Sequence, residues 1–241
     1  MKKINKIAGI IFVIVLVTSC GQNNTNNFTL KGKVKGLKKG VLYLQKDSDS
    51  TLVNLDSVVI TGQPEFVLQT NIKEPILLYL KLFKNDGEEH FIPFFASEGV
   101  TEITSTLKNF SFDVDIKGSE QQKLLEDYLD VMGRFNDENL DLIEAKFLAY
   151  KNSDSTLIDS LNKRTEALLK RKYTYTIQYA LNHNDSEVSP YLAYYEIPNA
   201  NPIFIDSIYN GLTDRIKKSF YGRKLEKSIR LKQSEQPDGT E

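Results

Sequence analysis

Few side chains here are suited to chemistry, and their spacing narrows what that chemistry is. Cys20 is the only cysteine, and His90 and His183 are the only histidines. A single thiol has no resolving partner, so dithiol exchange within the chain is excluded. The histidines stand in different halves without companions at zinc-ligand spacing, so neither a metal centre nor a His-based acid or base is expected. Asp47-Ser48-Asp49-Ser50-Thr51 opens like a calcium loop, but the sixth position is Leu52 and the twelfth Val58. An EF-hand needs Gly and Glu there, so a solvated turn is the expectation. Glu88-Glu89 and the pair Asp113 and Asp115 come nearest to a hydrolytic constellation. Two apart on a strand, Asp113 and Asp115 share one face, opposite Phe112 and Val114; glycosidase chemistry would further need a cleft. There is no Gly-x-Ser-x-Gly elbow. Gly36 and Gly40 flank lysines but open a strand rather than a phosphate-binding helix. No cofactor is expected.

Two groupings suit binding better than catalysis. Tyr173, Tyr175 and Tyr179, with Tyr191, Tyr194 and Tyr195, carry large rings with polar tips that can line a groove or pack between helices; packing is the expectation. Lys163, Arg164, Lys170, Arg171 and Lys172 alternate with Glu166 and Leu168, which marks a solvated helix face.

Residues 1–19 set the context. Lys2, Lys3 and Lys6 precede eleven unbroken apolar or small residues, Ile7 to Val17. That run rises roughly 16 Å as a helix, about half of the ~30 Å hydrocarbon core, so a secretory signal fits better than a membrane span. Val17-Thr18-Ser19-Cys20 resembles the lipobox of bacterial lipoproteins. The resemblance implies that the Cys20 thiol is diacylated, that the peptide is cut before it, and that the new amine is acylated. Each buried CH₂ contributes about 0.8 kcal/mol, so several chains anchor a protein without any spanning helix. Residues 20–27 then read as a flexible tether, since Gly21 to Asn27 is polar and cannot offset its ordering entropy. Gly21 after the cysteine resembles lipoproteins passed on to the outer membrane, and the missing acidic cluster argues against display on the cell surface. The expected location is the bacterial envelope, at the outer membrane facing the periplasm.

Removing residues 1–19 takes away three lysines and shifts the net charge from −1 to −4. A mildly acidic chain has no electrostatic footprint for nucleic acid. The remaining 222 of 241 residues suffice for one large domain or two small ones.

Residues 28–118 read as a β-rich domain. Phe28 to Val34 alternates apolar and polar residues, and turns recur at near-regular spacing. Ile76 to Phe83 is apolar on both faces, as a central strand would be. Asn85-Asp86-Gly87 signals a hairpin, and Pro93 confines the next strand to an edge or bulge. Leu52 to Ile60 reads as a strand bent near Asp56-Ser57, and Phe110 to Ile116 as a last strand. At Gly118 the period changes to that of a helix, giving an α-helical region over 119–233 and a polar tail over 234–241. Ser119 and Gln122 form a capping box with reciprocal bonds. A long helix with a kink near Asn136 to Asn139, a second over 156–182, shorter ones over 190–195 and 202–212, and a last over 214–232 are expected. The class is therefore α+β, an N-terminal antiparallel β-sandwich or open barrel followed by helices.

Leu55-Asp56-Ser57-Val58 before Phe66, then Phe94 to Ile103, then Ile116-Lys117-Gly118-Ser119 form a recurring order. It resembles the domain of unknown function found N-terminal to the thioredoxin-like domain of bacterial envelope thiol–disulfide interchange lipoproteins. Ser189-Pro190-Tyr191-Leu192 and Lys218-Ser219-Phe220-Tyr221-Gly222 resemble the helical region behind it. The resemblance spans about residues 28–232. It implies an accessory module; the Cys-x-x-Cys pair of those relatives has no counterpart here, and no family catalytic residue maps onto this chain. The expected function is a lipid-anchored, non-catalytic binding module with a membrane contact through Cys20 and a periplasmic protein or glycan partner. A hydrolase using an unrecognised carboxylate site, or a truncated remnant of a thiol–disulfide oxidoreductase, are the alternatives.

Overall fold

The computed structural model describes residues 26–235 except 49, 50 and 85. The signal-like segment, Cys20, most of the tether and residues 236–241 of the expected tail lie outside the described residues.

Among the described residues, eight strands form first: β1 (Phe28–Lys35), β2 (Lys39–Ser48), β3 (Thr51–Thr61), β4 (Glu65–Thr70), β5 (Ile76–Phe83), β6 (His90–Ala96), β7 (Gly99–Thr106) and β8 (Val114–Lys117). They build two four-stranded sheets, ordered β4-β1-β7-β8 and β3-β2-β5-β6. The sheets face one another as an unclosed sandwich. The alternation of β1 puts Phe28, Leu30 and Val34 inside, where they meet Leu42, Leu44, Leu80 and Phe94 from the other sheet. β5 is internal and Pro93 lies on the edge strand β6, as their sequences require.

The sandwich is antiparallel with one exception. β1 runs parallel to β7 over eight residue pairs and antiparallel to β4 over six. Returning from β6 to the far sheet brings β7 alongside the first strand in the same direction. The register of β2 on β3 slips at Leu44/Gln45, leaving Leu55 as an extra residue. This bulge lies beside the expected bend, and the next residue, Asp56, accepts a hydrogen bond from the Gln69 amide at 2.7 Å. That bond ties the edge strand of one sheet to the edge strand of the other.

The chain enters the sandwich through a clamp at Asn27. Its side chain donates to the Ile72 carbonyl at 2.7 Å and accepts from the Ile72 amide at 2.9 Å. Its carbonyl accepts from Gly99 N–H at 2.8 Å.

The helices are α1 (Glu120–Lys151), α2 (Ser155–Asn182), α3 (Val188–Tyr195), α4 (Pro202–Gly211), α5 (Asp214–Lys217) and α6 (Phe220–Glu235). Among the described residues, no helix is long and apolar enough to cross a membrane. α1 and α2 form a long hairpin turned at Asn152 to Asp154, with Asp154 capping α2 through Leu157 N–H. Buried Glu187 accepts from Gln121 and pairs with Arg215, drawing α1 and the start of α5 to the turn before α3.

Three expectations require correction. α1 runs unbroken through Asn136 to Asn139, because no proline or glycine interrupts its ladder there. The expected strand over 110–116 begins only at Val114; residues 108–113 form turns and Phe112 is 93 % exposed. Short alternation alone did not distinguish a turn from a strand. The expected last helix is two helices, broken at Lys218-Ser219. Ser219 Oγ donates to the Ile216 carbonyl and accepts from Gly222 N–H, ending one helix and starting the next. An ideal Cβ on Gly222 would stand 2.0 Å from the Ile216 carbonyl oxygen, so this reversal needs glycine.

Gly32 answers a similar constraint within β1, since its ideal Cβ would lie 2.0 Å from the Ile103 carbonyl oxygen and 2.9 Å from the Phe66 ring. Gly32→Ala is expected to push β1 from β7 and lower stability by about 3 kcal/mol. Urea unfolding of the two proteins checks this, and an unchanged midpoint would contradict it.

Candidate functional site

The strongest concentration of aromatic and perturbed polar groups lies where the helices meet the sandwich. Edge strand β6 presents Phe95 on its outer side, fully buried. Phe95 meets Tyr191 of α3 with ring centres 5.3 Å apart and Tyr221 of α6 at 5.8 Å, both edge-on. The backbone of Phe95 is captured as well. Its N–H donates to Gln122 Oε1 at 2.8 Å, and its carbonyl accepts from Ser119 Oγ at 3.0 Å. This revises the capping box. Ser119 does cap α1 by accepting from Gln122 N–H, but Gln122 turns its side chain to the edge strand rather than back to Ser119. On β5, Leu77 N–H donates to the Tyr221 hydroxyl at 3.1 Å.

A second tie lies beside these rings. Lys224 of α6 donates to Asp47 Oδ2 at 2.8 Å and to the Tyr195 hydroxyl at 2.7 Å. Its ammonium also lies 5.3 Å from the centre of the Tyr194 ring, 5.2 Å from Tyr195 and 5.4 Å from Phe220. Burial acts to lower its pKa, but the bonds to Asp47 and Tyr195 hold it well above the usual lysine value. Burial pushes the Tyr191 and Tyr221 phenols far up. Such a cluster is where a functional site would be sought. Here each perturbed group is held by a fixed partner or by neighbouring rings, and the arrangement fastens two halves of one fold.

The tyrosine grouping therefore packs rather than lining one groove. Tyr128 bonds Thr176 at 2.9 Å, and Tyr179, pushed up to about 12 by burial, donates to the Leu124 carbonyl at 2.7 Å. Tyr175 stacks on Tyr128, while Tyr173 and Tyr194 join a separate cluster with Ile205 and Leu225. Tyr173 also borders an open apolar groove of about 630 Å³ between α2 and α4, with Ile177, Leu181 and Phe204.

The other candidates are scattered. Asp47 belongs to β2 and serves Lys224, whereas Asp49 lies outside the described residues. Asp113 and Asp115 are exposed, and Asp115 lies 3.5 Å from Lys117. Glu89 pairs with Lys81 at 2.9 Å. His183 lies on the Tyr179 ring and bonds the Tyr179 carbonyl. His90, contrary to expectation, has acidic neighbours. Its Nε2 is 3.0 Å from Asp86 Oδ2 and 3.9 Å from Glu88, a set able to hold a cation. Lys84 already pairs with Asp86 at 2.9 Å, and Lys84 and His90 together hold that carboxyl well below the usual range. The spacing of Asp86, Glu88 and His90 was the available signal, read instead as a hairpin. Gly36 sits in a turn with φ of 89°, consistent with a structural glycine. Of the basic run on α2, Arg171 pairs with Glu138, and Lys163, Arg164, Lys170 and Arg171 are exposed.

Residues 28–125 match the family model described as a domain of unknown function, DUF4369. The matched segment contains all eight strands and the start of α1, so both Phe95 and its partners Ser119 and Gln122 fall inside it. No curated protein matches the chain.

Removing the Tyr221 hydroxyl leaves Leu77 N–H buried and unpaired. Tyr221→Phe is expected to cost about 1–3 kcal/mol, read as a lower urea midpoint. The raised Tyr191, Tyr221 and Lys224 also fix a direction in pH. The folded state keeps protons that the unfolded chain releases above about pH 10. Their contribution is intact below that pH and lost as pH rises beyond it. Melting temperature should therefore fall above about pH 10, less steeply in Tyr221→Phe; equal slopes would refute the assignment.

Proposed function

We propose that this chain, whose sandwich belongs with a domain of unknown function, is a lipid-anchored, non-catalytic interaction module of the bacterial cell envelope. Cys20 carries the lipid, residues 21–27 carry the span from membrane to fold, and the β–α body faces the periplasm. The observation carrying this reading is the order of residues at the N-terminus: three lysines, eleven apolar or small residues, then Val17-Thr18-Ser19-Cys20 and an uncharged polar stretch up to Phe28. The only thiol is thereby assigned to the anchor.

Two features support binding over turnover. The groups with strongly shifted protonation at the β–α junction serve to join the helices to the sandwich. The surface offers unpartnered apolar side chains of the kind that mark interaction sites. On α1, Leu140, Ile143 and Phe147 stand exposed at helical spacing, away from the buried Leu142 and Ala149 that face α2. A periplasmic protein or glycan is the partner this reading assigns.

Metabolic labelling with palmitate tests the anchor. Cys20→Ser is expected to abolish labelling and to leave the protein either unprocessed or in the soluble fraction. Labelling that persists in the variant would overturn the reading.

A further inference from the structure

The outer face of the β3-β2-β5-β6 sheet is divided. Near Leu77 and Phe95 it lies beneath the helices; farther along the strands it is open. The register places Tyr43 of β2 beside Lys81 of β5, and Lys81 beside Phe91 of β6. One row nearer the helices, Gln45 lies between Asn54 of β3 and Tyr79 of β5. Alternation puts all these side chains on the same outer face. Tyr43, Gln45, Asn54, Lys81 and Phe83 enclose an open depression of about 220 Å³.

A buried polar group without a partner marks this place. Gln45 is 7 % exposed, yet it sits on the side of the sheet turned away from the sandwich core. Its Nε2 donates to Asn54 Oδ1 at 2.6 Å, while its Oε1 is buried and has no donor among the described residues. Leaving such an acceptor unpaired is costly in a folded protein, and a native structure that keeps one calls for a reason. A hydroxyl or amide entering the depression would supply that donor.

The surrounding chemistry narrows the class of ligand. Phe83 is a large ring left partly in solvent, and Tyr43 and Phe91 are only partly covered. Lys81 is held over the Phe91 ring at 4.9 Å and paired with Glu89, so the positive charge is already balanced and an anion is not specially favoured. What remains is a set of aromatic faces bordered by two side-chain amides. A pyranose fits both parts: its C–H face lies against a ring, and its hydroxyls supply donors and acceptors to Gln45 and Asn54. The depression is smaller than the roughly 300–1,000 Å³ that encloses a drug-sized ligand. It takes about one sugar ring, with the rest of a chain running on over the open face.

We propose that this face is a saccharide-binding site, in which Tyr43 and Phe83 stack on a pyranose ring and Gln45 and Asn54 hydrogen-bond its hydroxyls. The proposal deepens the reading of the chain as a non-catalytic binding module, and it commits the partner to a glycan.

The test is titration calorimetry of the full, detergent-solubilised chain with three probes, cellohexaose, maltohexaose and N-acetylchitohexaose. At least one is expected to bind. Tyr43→Ala and Phe83→Ala should each weaken that binding by about three- to tenfold, the range expected for one aromatic stacking contact. Asn54→Asp keeps the acceptor that Gln45 Nε2 uses but removes the amide donor offered to a hydroxyl, and should weaken binding. Phe112→Ala removes an exposed aromatic from the turn before β8 and should leave it unchanged. Failure of all three probes to bind, or binding insensitive to Tyr43, Phe83 and Asn54, overturns the site without touching the anchor at Cys20. A probe that binds here and is recovered cleaved upholds the site and overturns the non-catalytic reading.

Discussion

The fold depends on how the open edge of β6 is closed. An edge strand exposes unpaired backbone groups that would otherwise seek another chain. Here the N–H and carbonyl of Phe95 are taken by Gln122 in the first turn of α1 and by its cap Ser119, while the Phe95 ring is buried against Tyr191 and Tyr221. One residue thus provides edge protection, helix placement and the centre of the second core. The remaining ties come from other strands and from the loop before β5: Leu77 to Tyr221, Asp47 to Lys224, and Glu74 to Phe220 N–H. At Phe95 and at Tyr221 a buried ring and a hydrogen bond act together in one residue. Separating the halves would expose aromatic area and strand a polar group at the same step.

This coupling gives the shifted protonation a structural cause. Buried phenols and a desolvated ammonium lie close together, as they would in an active site. Their partners are backbone amides, carboxylates and rings from elements that must be joined. Away from this junction the sheet surface is loosely covered, and Gln45 Oε1 is a buried acceptor without a donor among the described residues. A fastening site completes its own hydrogen bonds; a binding site leaves some for a ligand.

Much of the architecture was legible because local pattern and global position agree. Phe28 to Val34 alternates because one face of β1 meets the opposite sheet. Pro93 lies on an edge because an internal strand would need its missing N–H. Asn201 before Pro202 marks the start of α4. The misreadings arose where local pattern served two purposes. Ser119 and Gln122 have the spacing of a reciprocal box, but the edge strand competes for the glutamine and wins. Phe110 to Ile116 alternates, yet its first residues make turns. The break at Ser219 was hidden by helical residues on both sides. Asp47 and Lys224 are far apart in sequence, and nothing local to either signals the other. Likewise no spacing rule finds Gln45, whose significance is an absent donor.

The parallel pairing of β1 has a mechanical consequence. Any tension delivered through the N-terminal segment enters the fold at Asn27, which is pinned to Ile72 and Gly99. Beyond that point the load runs along β1, an internal strand flanked by β4 and β7 on opposite sides. A pull along the strand axis strains the interstrand bonds on both flanks together, in shear, instead of opening them one after another. The point where the chain enters the sandwich is therefore also one where the fold resists being drawn apart.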